Sequence, residues 1–108
     1  RGDSLEGYGP LTERNFAGLR VELAFLGADA VGPGGELFTA TMETARVSEM
    51  IVKVSAKTVL VADSSKWGAT ASVRYAELSM LDAVITDNAL PAAQRRAIRR
   101  AGVELMLA

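Results

Sequence analysis

The sequence predicts an α/β domain built on a mostly parallel sheet. Two observations carry this. First, apolar runs at residues 23–26, 58–62, 83–86 and 103–107 alternate with helix-patterned stretches at residues 42–56 and 91–101. Strand–helix–strand alternation implies parallel strands joined by right-handed crossovers. Second, three of those runs are apolar throughout, the pattern of strands buried on both faces. Each of the three is followed by an acid: Leu26-Gly27-Ala28-Asp29, Ala62-Asp63 and Thr86-Asp87. Residues 58–62 are expected at the centre, with 23–26 and 83–86 on either side.

The elements follow in order. Residues 1–10 are rich in glycine and polar residues and read as a loop or short edge strand. Residues 11–20 suit a short helix, with Thr12 as N-cap. The run 23–26 is a strand. Gly32-Pro33-Gly34-Gly35 requires a loop. The clearest helix spans about residues 42–56. There Val47, Met50, Ile51 and Val54 recur at i, i+3, i+4 and i+7 and form one apolar face. Thr41 fits its cap, and Glu43 suits the positive end of the helix dipole. The strand 58–62 comes next. Residues 72–75 alternate and read as a short, half-exposed strand. The run 83–86 is buried. Pro91 fits the first position of a helix whose apolar side is Ala97, Ile98 and Ala101. Gly102 is placed to stop that helix, and 103–107 is the final strand. Four strong strands are few for a sheet of this kind, so the domain reads as partial.

Composition narrows the chemistry. The chain has 108 residues, a formal net charge of -1, and neither cysteine nor histidine. Zinc, haem and thiol sites, disulfides and histidine-based catalysis are excluded for this chain. No metal or cofactor is expected. A near-neutral charge argues against a nucleic-acid surface on this segment. No apolar run approaches the roughly 20 residues of a membrane span, and the start lacks a signal-peptide pattern. The expected setting is cytoplasmic. The chain opens at Arg1 rather than methionine and reads as part of something longer.

The candidate site lies where the strands end. In an open parallel sheet, ligands bind beyond the carboxyl ends of the strands. Asp29, Asp63 and Asp87 fall on that rim, and Lys66 follows the central strand in Asp63-Ser64-Ser65-Lys66-Trp67-Gly68. A lysine beside small hydroxyl donors can hold a phosphate or carboxylate, while carboxylates accept from hydroxyls. Gly27 opens the turn to Asp29, Glu43 is expected near the same rim, and Gly35 closes a Gly-Pro-Gly-Gly loop that could wrap a ligand with backbone N–H groups. For Asp63 or Asp87 taken singly, capping of the following turn is the better account. All three acids together with Lys66 favour a site. The Gly-Pro-Gly-Gly stretch lacks the spacing of a dinucleotide or P-loop motif. Trp67 suits either sugar stacking or cover for a core edge. Arg95, Arg96, Arg99 and Arg100 read as a solvated helix face.

The ordered blocks resemble the C-terminal effector domain of DeoR-type transcription regulators. They are Gly9-Pro10; Leu23-Ala24-Phe25-Leu26-Gly27-Ala28; Gly35 with Thr39; Glu43, Ala45 and Val47; Met50-Ile51; Leu60 to Gly68; Leu78-Ser79 with Leu81-Asp82; Ile85-Thr86-Asp87; and Gly102-Val103-Glu104. The resemblance implies a Rossmann-like sensor of phosphorylated sugars or related metabolites. Residues 1–108 would be the C-terminal part of that single domain. It also implies a DNA-binding helix-turn-helix and a Gly-Thr-Thr phosphate loop, both upstream of this segment, and a homo-oligomer. Lys66, Asp63, Asp29, Glu43, Asp87, Gly27 and Gly35 are the ligand-binding residues it suggests. Trp67 stands where the family usually has Phe, and Ser48 where a basic residue is common.

Ribose-5-phosphate isomerases share this fold group and supply the alternative. Gly27-Ala28-Asp29 and Ala62-Asp63-Ser64-Ser65-Lys66 are similar to segments of those enzymes. The isomerases have a second acid where this chain has Gly32, and a lysine before the glycines where it has Pro33. Proton transfer needs a positioned base, and Glu43 alone remains in that region. The chain is therefore expected to be a sensor and not an enzyme.

Overall fold

The computed structural model describes residues 20–108. The loop expected at residues 1–10 and all but the last residue of the helix expected at 11–20 lie outside them. Strand β1 (Val21–Leu26) leads into a short antiparallel pair, β2 (Ala30–Val31) and β3 (Glu36–Thr39). Helix α1 (Met42–Val54) and strand β4 (Ser55–Val61) follow. Then come β5 (Val73–Glu77), β6 (Ala83–Thr86), α2 (Ala92–Arg100) and β7 (Glu104–Leu107). Single-turn 3-10 helices occupy Ser64–Lys66 and Leu78–Met80.

The main sheet has the order β1-β4-β6-β7, with every pair parallel. The expected centre and both its neighbours are thus in place. One row of side chains runs across it in register: Leu26, Leu60, Val84 and Leu105. Leu60 and Val84 are fully buried and sit in the core with Ala45, Leu37 and Ile98. Asp82 fixes the start of β6 against β4. Its carboxylate accepts from Thr58 N at 2.8 Å, and its own N–H donates to Thr58 O at 2.9 Å.

Helix α1 packs against β1, β3, β4 and β5. Its buried residues are Ala45, Val47 and Ser48. Met50, Ile51 and Val54 of the expected stripe are only half-buried. The helix stops at Val54 rather than near 56 because Ser55 is already extended and opens β4 without a loop. Gly102, at φ +81°, ends the last helical turn as expected, since the left-handed region costs glycine little.

One expectation needs correction. The apolar run at 23–26 is not buried on both faces: Leu23 is 49% exposed and Phe25 61%. Val61, at the end of the central strand, is 47% exposed. The reason is topological. The chain crosses the main sheet in one direction, and right-handed crossovers then place every connection on the same face. The opposite face of the sheet has no described helix over it, although Val59 and Ala83 at its centre are buried. The short strand expected over residues 72–75 is present, outside the main sheet. These residues fall in or beside β5, which pairs antiparallel with β3 in a second sheet of order β2-β3-β5. Strands β2 and β3 were not expected at all. They form because the Gly-Pro-Gly-Gly loop folds the chain back, with Gly35 at φ +89° and Gly32 N donating to Glu36 O at 2.8 Å.

Candidate functional site

The acids come together on one rim. Strands β1, β4 and β6 are adjacent and parallel, so Asp29, Asp63 and Asp87 all follow their carboxyl ends. Each then has a local task. Asp87 Oδ2 accepts from Ser64 N at 2.9 Å and Oδ1 from Ala89 N at 2.9 Å. Asp63 Oδ1 accepts from Ser65 N at 2.9 Å and from the Ser65 hydroxyl. Asp29 Oδ2 accepts from Ala40 N at 2.8 Å and Thr39 Oγ1 at 3.2 Å. The hydrogen bonds from Ser64 backbone and side chain, then from Ala89 N, hold the Asp87 carboxyl below the usual carboxylate value.

These bonds build the rim's shape. Asp63 and Asp87 clamp the Ser64–Lys66 turn from β4 and from β6. The same turn is tied to the small sheet, where Gly68 N donates to Val31 O at 2.7 Å. Lys66 is half-buried at its end. Among the described residues its ammonium has no hydrogen-bond partner. Trp67 packs against the core, and its indole N–H is buried without an acceptor among the described residues. It thus covers a core edge, and its half-exposed side lines a groove with Pro33, Leu78 and Ala97 rather than the rim acids.

A cleft of about 330 Å³ opens where β1, β3 and α1 meet. It is lined by Gly27, Ala28 and Asp29 from the end of β1, by Thr39 to Thr41, and by Thr44 and Ser48 from α1. Asp29 Oδ1 has no hydrogen bond among the described residues, so one carboxylate oxygen stays available. The N-terminus of α1 borders this cleft. Thr41 caps it, accepting from Thr44 N at 3.1 Å. The first N–H groups of a helix have no partner within it, and the helix dipole favours an anion there.

Of the expected site residues, Gly27 and Asp29 line the cleft, whereas Lys66, Asp63 and Asp87 lie on the rim outside its lining. Glu43 sits exposed in the first turn of α1 and outside the lining. Gly35 lines a different groove, with Pro33, Leu78 and Ala97. Sequence reasoning missed the hydroxyls. Thr41, Thr44 and Ser48 recur at spacings of three and four, which sets them on one helix face. That spacing is a usable signal. Thr39 belongs to a strand that was not foreseen. Among the described residues no cluster of three or more His, Cys, Asp or Glu could hold a metal ion, and no helix is long and apolar enough to cross a membrane.

The carboxyl-end rim of an open parallel sheet is where α/β domains generally bind small ligands. The chain belongs to the DeoR family: the profile described as the DeoR C terminal sensor domain matches residues 1–88. It is similar to the HTH-type transcriptional regulator GlpR of Haloferax volcanii, 39% identical over 98 residues, which covers 91% of this chain and 38% of that protein. The glycerol-3-phosphate regulon repressor of Escherichia coli is 30% identical over 88 residues, covering 82% of this chain and 35% of its own length. The L-fucose operon activator of Haemophilus influenzae is 25% identical over 84 residues, covering 78% and 34%. The chain therefore spans little more than a third of the relatives it matches. All three are regulators of transcription and not enzymes, so the isomerase alternative is set aside. Gly32 and Pro33, in place of the isomerases' acid and lysine, agree with this.

Proposed function

We propose that this sensor domain reads a small phosphorylated sugar or polyol at the rim formed by β1, β4 and the N-terminus of α1. The observation that carries this reading is the cleft beside Asp29, which combines a free carboxylate oxygen, the hydroxyls of Thr44 and Ser48 on α1 and of the capping Thr41, and a helix N-terminus. Sugar hydroxyls donate to Asp29, and the anionic group is met by α1 N–H groups and by Lys66. Asp63 and Asp87 serve this reading indirectly, by fixing the turn that carries Lys66. Glu43, in the first turn of α1, flanks the site, whereas Gly35 has no part in this reading because it lines the separate groove beside Leu78. The names of two relatives, a glycerol-3-phosphate regulon repressor and an L-fucose operon activator, fit an effector of this class.

On this reading DNA is bound by a helix-turn-helix outside this segment, in a homo-oligomeric cytoplasmic regulator. The sign of regulation does not follow from the domain, since both a repressor and an activator are among its relatives. The test uses the intact regulator. Operator binding is measured by mobility shift with and without a panel of sugar and polyol phosphates, beside an assay for aldose–ketose phosphate interconversion. Effector-dependent operator binding without turnover is the expected result. Robust turnover with no operator binding would restore the isomerase alternative.

A further inference from the structure

We infer that Ser48 determines which effector the cleft beside Asp29 accepts: one with a chain of five or six carbons, its hydroxyl-bearing end at Ser48 and its phosphate at the N-terminus of α1. This deepens the sensor reading and rests on it. The first observation is an unused hydroxyl. Ser48 is 6% exposed and belongs to the buried side of α1 with Ala45 and Val47. A position that only fills space there suits alanine, because a buried hydroxyl without a partner loses its hydration and gains nothing. A serine inside a helix commonly donates to the carbonyl four residues back. Ser55, at the end of the same helix, does so to Ile51 O at 2.6 Å. Ser48 makes no hydrogen bond among the described residues. Nor is its oxygen sealed, since the sealed side-chain atoms without a partner are those of Trp67, Thr86 and Gln94. Ser48 lines the cleft, so the open part of its hydroxyl faces that space.

The second observation is the charge of the lining. Among the described residues Asp29 is its one charged side chain, and no cation lines it. Asp29 Oδ1 has no hydrogen bond among the described residues. A carboxylate beside neutral hydroxyls accepts from hydroxyl groups and repels a second anion. The cleft therefore takes the uncharged end of the ligand and leaves the phosphate at its border, where α1 begins. A Cβ built on Gly27 would meet nothing within 4 Å, so the mouth beside Asp29 is open.

The third observation is a distance. Ser48 follows the capping Thr41 by seven residues along α1. At the helical rise this is about 10 Å along the axis. The free N–H groups of a helix N-terminus point along that axis, so an anion they hold sits beyond the first turn. Ser48 meets a ligand from the side. A molecule that makes both contacts must cover the whole distance. Glycerol 3-phosphate is too short even when extended, whereas a chain of five or six carbons reaches.

The experiment is calorimetric titration of the intact regulator and its Ser48→Ala variant. The ligands are glycerol 3-phosphate, ribose 5-phosphate, xylitol 5-phosphate, fructose 6-phosphate and glucitol 6-phosphate. The tightest member should have five or six carbons. Ser48→Ala should weaken it by roughly two- to tenfold, the range that one neutral hydrogen bond supplies, and leave any affinity for glycerol 3-phosphate unchanged. In the effector-free regulator the same substitution should keep or raise the urea midpoint, because alanine removes an unpaired buried hydroxyl and favours the helix. A clear fall in that midpoint would show that the hydroxyl serves the fold, and would overturn the inference. So would unchanged affinity of Ser48→Ala for the tightest ligand. Tightest binding of glycerol 3-phosphate would overturn this inference alone, whereas no binding by any member would overturn the sensor reading with it.

Discussion

The Tyr75 hydroxyl donates to the carbonyl of Gly27 at 2.6 Å, across 48 residues of sequence. Tyr75 belongs to β5 of the small sheet and is 5% exposed. Gly27 follows β1 of the main sheet and lines the cleft beside Asp29. The bond therefore joins the two sheets at the corner where a ligand would enter. Together with Asp29, which grips Thr39 and Ala40, it fixes the Gly27–Asp29 corner from two sides.

Tyr75→Phe removes that donor and keeps the ring in the core. A neutral hydrogen bond contributes about 0.5–1.5 kcal/mol net. Gly27 is exposed, and water can replace the lost donor, so the expected loss is near the lower end of that range. Urea denaturation of both proteins at one pH measures it. An unchanged midpoint would mean that the bond does not hold the corner.

Asp87 predicts an acid transition. Its folded carboxyl titrates below the ordinary value of 3.8, chiefly through the backbone N–H of Ser64. The folded state thus binds fewer protons than the unfolded state near that pH. Its contribution to stability is fully present above about pH 3.8 and is lost as pH falls through the lower folded value. Asp87→Asn should lower stability at neutral pH and flatten its fall below pH 4. Denaturation midpoints from neutral pH down to the acid limb check the sign. A fall of the same steepness in Asp87→Asn would assign the acid response elsewhere.

Thr41→Ala removes the cap from α1 and should cost about 0.5–2 kcal/mol, while Thr41→Ser should restore most of it. Helix content by circular dichroism and the denaturation midpoint report this together. If alanine and serine behave alike, the contact between Thr41 Oγ1 and Thr44 N is not what holds the helix start.

Leu60 and Met80 offer a contrast in burial. Leu60 is 0% exposed at the middle of the main sheet, and Met80 is 55% exposed on a surface turn. Leu60→Ala should cost about 2–5 kcal/mol, and Met80→Ala about 0.5 kcal/mol or less. Comparable costs would place the core elsewhere than in the row through Leu26, Leu60 and Val84.

The main sheet was legible in the sequence because the runs containing Leu60 and Val84 are apolar without interruption, and only strands buried in a parallel sheet need that pattern. The rim was legible for the same reason, since Asp29, Asp63 and Asp87 each follow such a run. The small sheet was not. Ala30 and Val31 are too few to show a period, and Glu36 to Thr39 alternates over only four residues beside a glycine loop. The exposure of Leu23 and Phe25 was hidden as well. Apolar composition signals a surface that needs cover and does not say which part of the polypeptide supplies it. The hydroxyl-lined cleft needed the fold, because Asp29 and Thr41 meet only after β3 turns the chain back.

The most direct test of the proposed phosphate-reading site is calorimetric titration of the intact regulator and its Lys66→Ala variant. The panel pairs each phosphorylated sugar or polyol with its unphosphorylated counterpart. The wild type should prefer one phosphorylated member, and Lys66→Ala should weaken it by roughly ten- to a hundredfold, as loss of a charge-assisted hydrogen bond of about 1.5–3 kcal/mol requires. Folding should be little affected, because the Lys66 ammonium makes no hydrogen bond or ion pair among the described residues. Equal affinity for the phosphorylated ligand in a folded Lys66→Ala protein, or equal affinity for the two members of each pair, would contradict the account.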